Sequence, residues 1–285
     1  MTKNELIYFH KSLQEALNKP DYVPPVEKKN IYLYDKTFEG LLTVVFETYK
    51  SKINADIIVE KKNYQVSFID EAIEIKTDIA KAERVWKGLI AKTKKTAADM
   101  VYHVYLSGMQ GVEMLIYKYM RLVFAENYDV SVNYRNETVL EMKQTQRTVL
   151  REAHRMFMFV RFQRTKARIF FAPIQPVYDV IPLIGSHFRK RFRDQLWVIY
   201  DTIRDYGIYY DLTDVQEIKL EQKKYSNSSG KINASLMEEK EEIYQILWKN
   251  YYESINISER KNLKVQMQFM PKRFWNYLPE KSRDI

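Results

Sequence analysis

Residues 154–176 read HRMFMFVRFQRTKARIFFAPIQP, a run of rings and guanidinium groups without a single acid. This stretch restricts the fold more than any other. A guanidinium cannot be buried alone, so each arginine must reach solvent or meet a carboxylate from a distant segment. From Arg147 to Arg193 the chain holds eleven bases and only two acids, Glu152 and Asp179. The excess matches the net charge of the whole protein, +9, so the remainder is balanced. A positive charge confined to one short segment points to a basic face that meets a polyanion, or to an ordinary solvated face.

The alternation predicts a strand over 155–163. Side chains of a strand alternate between its faces. Met156, Met158, Val160 and Phe162 then form a core face, and Arg155, Phe157, Phe159, Arg161 and Gln163 form the other. As a surface, the second set suits single-stranded nucleic acid, with rings stacking on bases and arginines meeting phosphates. As a buried face, its arginines need acids from the helical region. RMFMFVRF also overlaps the strand consensus of RNA-recognition motifs at Arg155, Phe157, Phe159, Val160 and Phe162. Both small positions of that consensus carry Met, and the surrounding order of elements differs, so that fold does not follow.

Residues 1–30 read as an N-terminal extension ending in the break PDYVPP. NIYLYD is strand-like, Thr37 caps a helix with a stripe from Phe38 to Tyr49, and ADIIVEK and YQVSF are short strands. Residues 70–153 are mostly helical, with Thr96 and Asp99 as a capping pair and a last helix over 138–153. Strands at 155–163 and 167–174 flank a turn near Arg164–Lys166. VIPLIGSHFRKRFRD is a helix with a basic end, and QLWVIYD and YGIYYD are strands. After the polar loop KKYSNSSGKINAS, a helix has its start marked by Ser235 and Glu238, and its apolar stripe includes Ile243, Ile246, Leu247 and Tyr251. The expected class is α+β, an antiparallel sheet built from hairpins with several packed helices. It forms a single compact domain over 31–280, preceded by the extension and followed by a tail at 281–285.

The protein has no cysteine. Disulfides, thiolate metal sites, a thiol nucleophile and an iron–sulfur cluster on this chain's own thiolates are excluded. The N-terminus lacks the pattern of a signal peptide, and no run of 18 apolar residues occurs, so no membrane contact and a cytoplasmic location are expected. The four histidines, His10, His103, His154 and His187, form no HxH or HExxH pair, so no metal is expected. Phosphate-loop, GxGxxG and GxSxG motifs are absent. His154, His187 and Asp201 are the candidate acid–base residues, lying with Asp179 and Arg204 near element ends around the basic segment.

The segments YDKTFEGLLTVVFETY (34–49), EAHRMFMFVRF (152–162), APIQPVYDVIPLIGSHFRKRF (172–192), WVIYDTIRDYGIYY (197–210), LWKNYYESINISERKNLKVQMQFMP (247–271) and KRFWNYLPE (272–280) occur in that order. Together they resemble a bacterial DNA repair or DNA-metabolism family built on a domain of unknown function. Its genes sit beside a radical-SAM protein of DNA modification or repair, and a similar domain is sometimes fused to a uracil-DNA-glycosylase-like domain. Lys36 stands where that family has Gly. The resemblance spans 31–280 and gives weight to His154, Arg155, Arg161, Pro173, Asp179, His187, Phe188, Arg191, Asp201, Arg204, Arg260, Asn262, Arg273 and Trp275. It implies a radical-SAM partner that carries S-adenosylmethionine and an iron–sulfur cluster, neither of which this chain binds.

Residues and resemblance together lead to one expectation. The protein is a nucleic-acid-binding accessory in DNA repair or modification, acting on single-stranded or damaged DNA. Its contact residues are Arg155, Phe157, Phe159, Arg161, Arg164, Lys166, Arg168, Arg189, Lys190, Arg191, Arg193, Arg204, Arg273 and Trp275. The alternatives are a lesion-processing enzyme using His154, His187 and Asp201, and a protein-binding adaptor with a basic face.

Overall fold

In the computed structural model, residues 28–65, 71–221 and 234–281 are described. The chain divides after Lys87 into two compact units. In the first, β1 (Asn30–Tyr34) lies between β2 (Ile57–Glu60) and β3 (Glu71–Glu74), parallel to both. Four consecutive residues of β1, Ile31 to Tyr34, are buried, as befits a central parallel strand. Helix α1 (Phe38–Ser51) follows. Thr37 caps it, Oγ1 accepting the Gly40 amide at 2.9 Å, so the capping expected from sequence is present. Helix α2 (Ile79–Lys92) carries the chain out of this unit. YQVSF runs into residues outside those described, and β3 falls where a helical reading began.

The second unit opens with α3 (Lys95–Tyr105), α4 (Val112–Ala125) and α5 (Glu137–Phe159), packed on one another. Lys94, not Thr96, precedes α3, and it makes no side-chain cap. A mixed sheet follows in the order β4 (Gln163–Arg164), β5 (Phe170–Ile174), β6 (Trp197–Asp201), β7 (Tyr206–Tyr210) and β8 (Val215–Ile218). β5 and β6 are parallel and are bridged by α6 (Ile181–Arg191); the other pairings are antiparallel. Helices and strands are thus mixed as expected, but the sheets are parallel and mixed rather than a series of hairpins. Gly207 sits where a Cβ would overlap the Ile199 carbonyl oxygen, which keeps β6 and β7 close. α7 (Glu241–Ser254) and α8 (Leu263–Phe269) precede a 3-10 turn over Lys272–Tyr277.

Residues 155–163 depart most from the expected strand. Residues 155–159 are the last turns of α5, not a strand. Asn136 caps the helix, and Val139, Met142, Gln146, Val149, Ala153, Met156 and Phe159 are its buried stripe at steps of three or four. That stripe continues into MFMF without a Gly or Pro to stop it. The alternation of faces is therefore lost, although Met156 is buried as expected. Phe159 is buried and packs on Phe274 with ring centroids 4.9 Å apart, while Met158 is 44% exposed. The overlap with the RNA-recognition strand loses its basis for the same reason.

Candidate functional site

Beyond α5, residues 160–162 lead into β4, and the rings of Phe162, Phe170, Phe188 and Phe192 gather beside Trp197. A cleft of about 680 Å³ opens over this cluster. One wall comes from Phe157 and Met158 at the end of α5, with Val160, Arg161, Phe162, Arg164 and Phe170. Phe188, Arg191 and Phe192, at the end of α6, form the second. The third is one face of α7, Glu241, Tyr244, Gln245 and Trp248, whose spacing of three and four sets them side by side.

Three guanidinium groups reach this cleft in different states. Arg161 Nη2 donates to Glu280 Oε1 at 2.8 Å, and its charge lies over the Trp248 ring at 5.8 Å. Arg164 Nε pairs with Glu238 at 3.0 Å. Arg191 is exposed and has no carboxylate partner among the described residues; it lies 5.6 Å from the Phe192 ring centroid. The acids paired with Arg161 and Arg164 thus come from the C-terminal segment rather than from the helical region. Glu241 is buried and takes the Arg164 amide on Oε2 at 3.0 Å and Gln245 Nε2 on Oε1 at 3.1 Å.

The other basic residues are dispersed. Arg189, Lys190 and Arg193 line a second cleft of about 740 Å³ on another side of α6, where Arg189 pairs with Asp214 at 3.2 Å. Lys166 and Arg168 are exposed in the turn between β4 and β5. Arg155 faces Glu152 at 3.5 Å. Arg204 and Arg273 do not line either cleft. Glu152 takes both Nη atoms of Arg273 and the Val177 amide; Arg204 donates to Asp201 at 2.7 Å and to the carbonyls of Pro176 and Val177. Trp275 Nε1 donates to the Met270 carbonyl at 3.0 Å.

The candidate acid–base residues are not brought together by any hydrogen bond or ion pair among the described residues. Asp201 is fully buried and caps its own turn, accepting the amides of Ile203 and Arg204. His187 stacks on Phe157 with ring centroids 4.1 Å apart, and His154 meets the same ring in a T-shaped contact at 6.0 Å. Burial, then the charges of Arg191 and His154, lower the His187 pKa. Asp179 accepts the Tyr206 hydroxyl, and burial raises its pKa. Among the described residues no three His, Asp or Glu side chains converge to hold a metal, and no helix is long and apolar enough to cross a membrane.

The family described as domain of unknown function DUF4130 matches residues 110–280, which include both clefts and the Glu152–Arg273 pair. The chain belongs to that family. No curated protein matches it. Within the DUF4130 region, Phe162, Phe170, Phe192, Glu241, Tyr244, Gln245 and Trp248 are cleft residues that no functional expectation from the sequence named, whereas Phe188 is one to which the resemblance gave weight. The one local signal was the spacing of Glu241, Tyr244, Gln245 and Trp248.

Proposed function

We propose that this protein binds single-stranded or locally unstacked DNA, receiving a base in the aromatic cleft, as a cytoplasmic accessory of DNA repair or modification. A single observation carries the reading: seven aromatic side chains and three arginines line one cleft, and one of those arginines, Arg191, has no carboxylate partner among the described residues. Rings bind any base by its face, and an unpaired guanidinium binds a phosphate. Lys166, Lys190 and Arg193, likewise exposed and without carboxylate partners among the described residues, extend the positive field beyond the cleft. The radical-SAM partner rests on the family resemblance. A chain without cysteine cannot hold that partner's cluster on thiolates, so division of labour follows, with this chain presenting DNA and the partner performing the chemistry.

Short oligonucleotides test this directly. Affinity for single strands should fall with salt, and Arg191→Ala should flatten the log–log slope by about 0.7, one phosphate's worth. Tyr244→Ala removes a ring that is 55% exposed and should weaken binding by about 1–3 kcal/mol with an unchanged melting temperature. Binding indifferent to both changes would move the interface elsewhere, and absence of binding at low salt would end the proposal. The protein alone should leave uracil-containing, alkylated or cross-linked oligonucleotides intact. Turnover lost on His187→Ala, with binding retained, would favour the enzyme reading instead.

A further inference from the structure

The cleft is apolar and cationic on two walls, but its third wall carries hydrogen-bond acceptors. Glu241 and Gln245 lie one turn apart on α7, each about 8% exposed, and both line the cleft. The carboxylate oxygens of Glu241 each accept one bond from the protein, which leaves further lone pairs. Gln245 spends its amide nitrogen on Glu241, so its orientation is fixed and its carbonyl oxygen accepts nothing among the described residues. An acceptor-rich wall among stacking rings has an electrostatic preference. It favours a base edge with adjacent N–H donors and opposes one with a ring acceptor.

We infer that Glu241 and Gln245 make the cleft selective for guanine, whose Watson–Crick edge places an amino group beside a ring N–H. Hypoxanthine keeps the ring N–H and lacks the amino group. Adenine sets a ring nitrogen acceptor against the carboxylate, thymine offers a single N–H between two acceptors, and cytosine an amino group beside two acceptors. Sites built to bond a donor discriminate sharply against analogues that lack it, because their own buried acceptors are left unpaired. Glu241 and Gln245 are in this sense specificity residues, while the rings supply affinity indifferent to base identity.

This inference rests on the nucleic-acid reading, and one experiment separates the two. Fluorescence anisotropy on the full chain compares oligothymidine strands of equal length bearing one central dG, deoxyinosine or dA. The dG strand should bind about tenfold more tightly than the deoxyinosine strand, with dA at least as weak as deoxyinosine. Glu241→Gln should reduce the dG preference to about twofold while the dA strand changes little. Equal binding of the three strands by the unmodified protein overturns the guanine inference and leaves the nucleic-acid reading intact. Failure to bind any strand overturns both. The comparison on the unmodified protein decides even if Glu241→Gln does not fold.

Discussion

Arg273→Ala should destabilise the second unit by about 3 kcal/mol in urea unfolding, toward the lower end expected for breaking a buried pair. The carboxylate it abandons is Glu152, 2% exposed, which would keep only the Val177 amide and Arg155 at 3.5 Å. The figure is at the low end because the Arg273 side chain is itself 33% exposed and part of its charge is already solvated. Burial would push the Glu152 pKa up, but the hydrogen bonds and charges of Arg273, with the Val177 amide and Arg155, bring it below the ordinary value. The unfolded chain therefore takes up this proton first as pH falls. The stabilisation is complete above the ordinary glutamate range, about pH 4, and is lost as pH drops through the lower folded value. Glu152→Gln should accordingly flatten part of the acid limb of the stability curve. A loss below about 1 kcal/mol on Arg273→Ala would rank the pair with exposed ion pairs.

This network also explains why several residues singled out by the resemblance are engaged inside the fold. Glu152 on α5, the Pro176–Val177 backbone after β5, Asp201 at the end of β6, Arg204 just beyond it, and Arg273 in the C-terminal segment are joined by consecutive hydrogen bonds. Arginines placed near aromatic runs look alike in sequence whether they meet phosphate or a buried glutamate. The distinction lies in a partner 121 residues away, which no local pattern records.

Where local chemistry decides, the sequence was informative. The strand at β1, the Thr37 cap, α6 and the strands β6 and β7 stand where periodicity and capping put them. Short apolar runs without Gly or Pro did not decide between helix and strand, and HRMFMFVRF is such a run. Its helical answer depends on the stripe beginning at Val139, fourteen residues before Ala153. The stripe expected on α7 also changes sides. Ile243, Ile246, Leu247 and Tyr251 are exposed, and Glu241 and Gln245 are the buried residues of that helix. Of the four bases at the end of α6, only Arg191 shares the cleft with Phe157. Successive helical residues are 100° apart and cannot all face one way. The cleft itself draws on residues 157–192 and 241–279, a long-range arrangement set by how α7 packs rather than by any motif.

Three adjacent residues at the end of α5 should separate into three behaviours. Phe159→Ala is expected to cost about 3–5 kcal/mol of stability, since a ring 8% exposed loses its transfer energy and leaves a cavity against Phe274. Met158→Ala, at 44% exposure, should fall within about 0.5 kcal/mol of the parent. Phe157 is half-buried, stacked on His187 and bordering the cleft, so its loss should register in both measurements. Single-strand affinity should fall by about 1–3 kcal/mol, with a stability cost below that of Phe159→Ala. Melting curves and oligonucleotide titrations on the three variants distinguish helix from strand in solution. A strand pairs Phe157 with Phe159 and sets Met158 apart as core, so Met158→Ala would be the damaging change. A helix puts consecutive residues 100° apart, which gives three different environments and hence three different outcomes. Loss of stability without loss of binding on Phe157→Ala would make that ring packing for His187 alone, leaving Tyr244 and Trp248 as the rings available to a base.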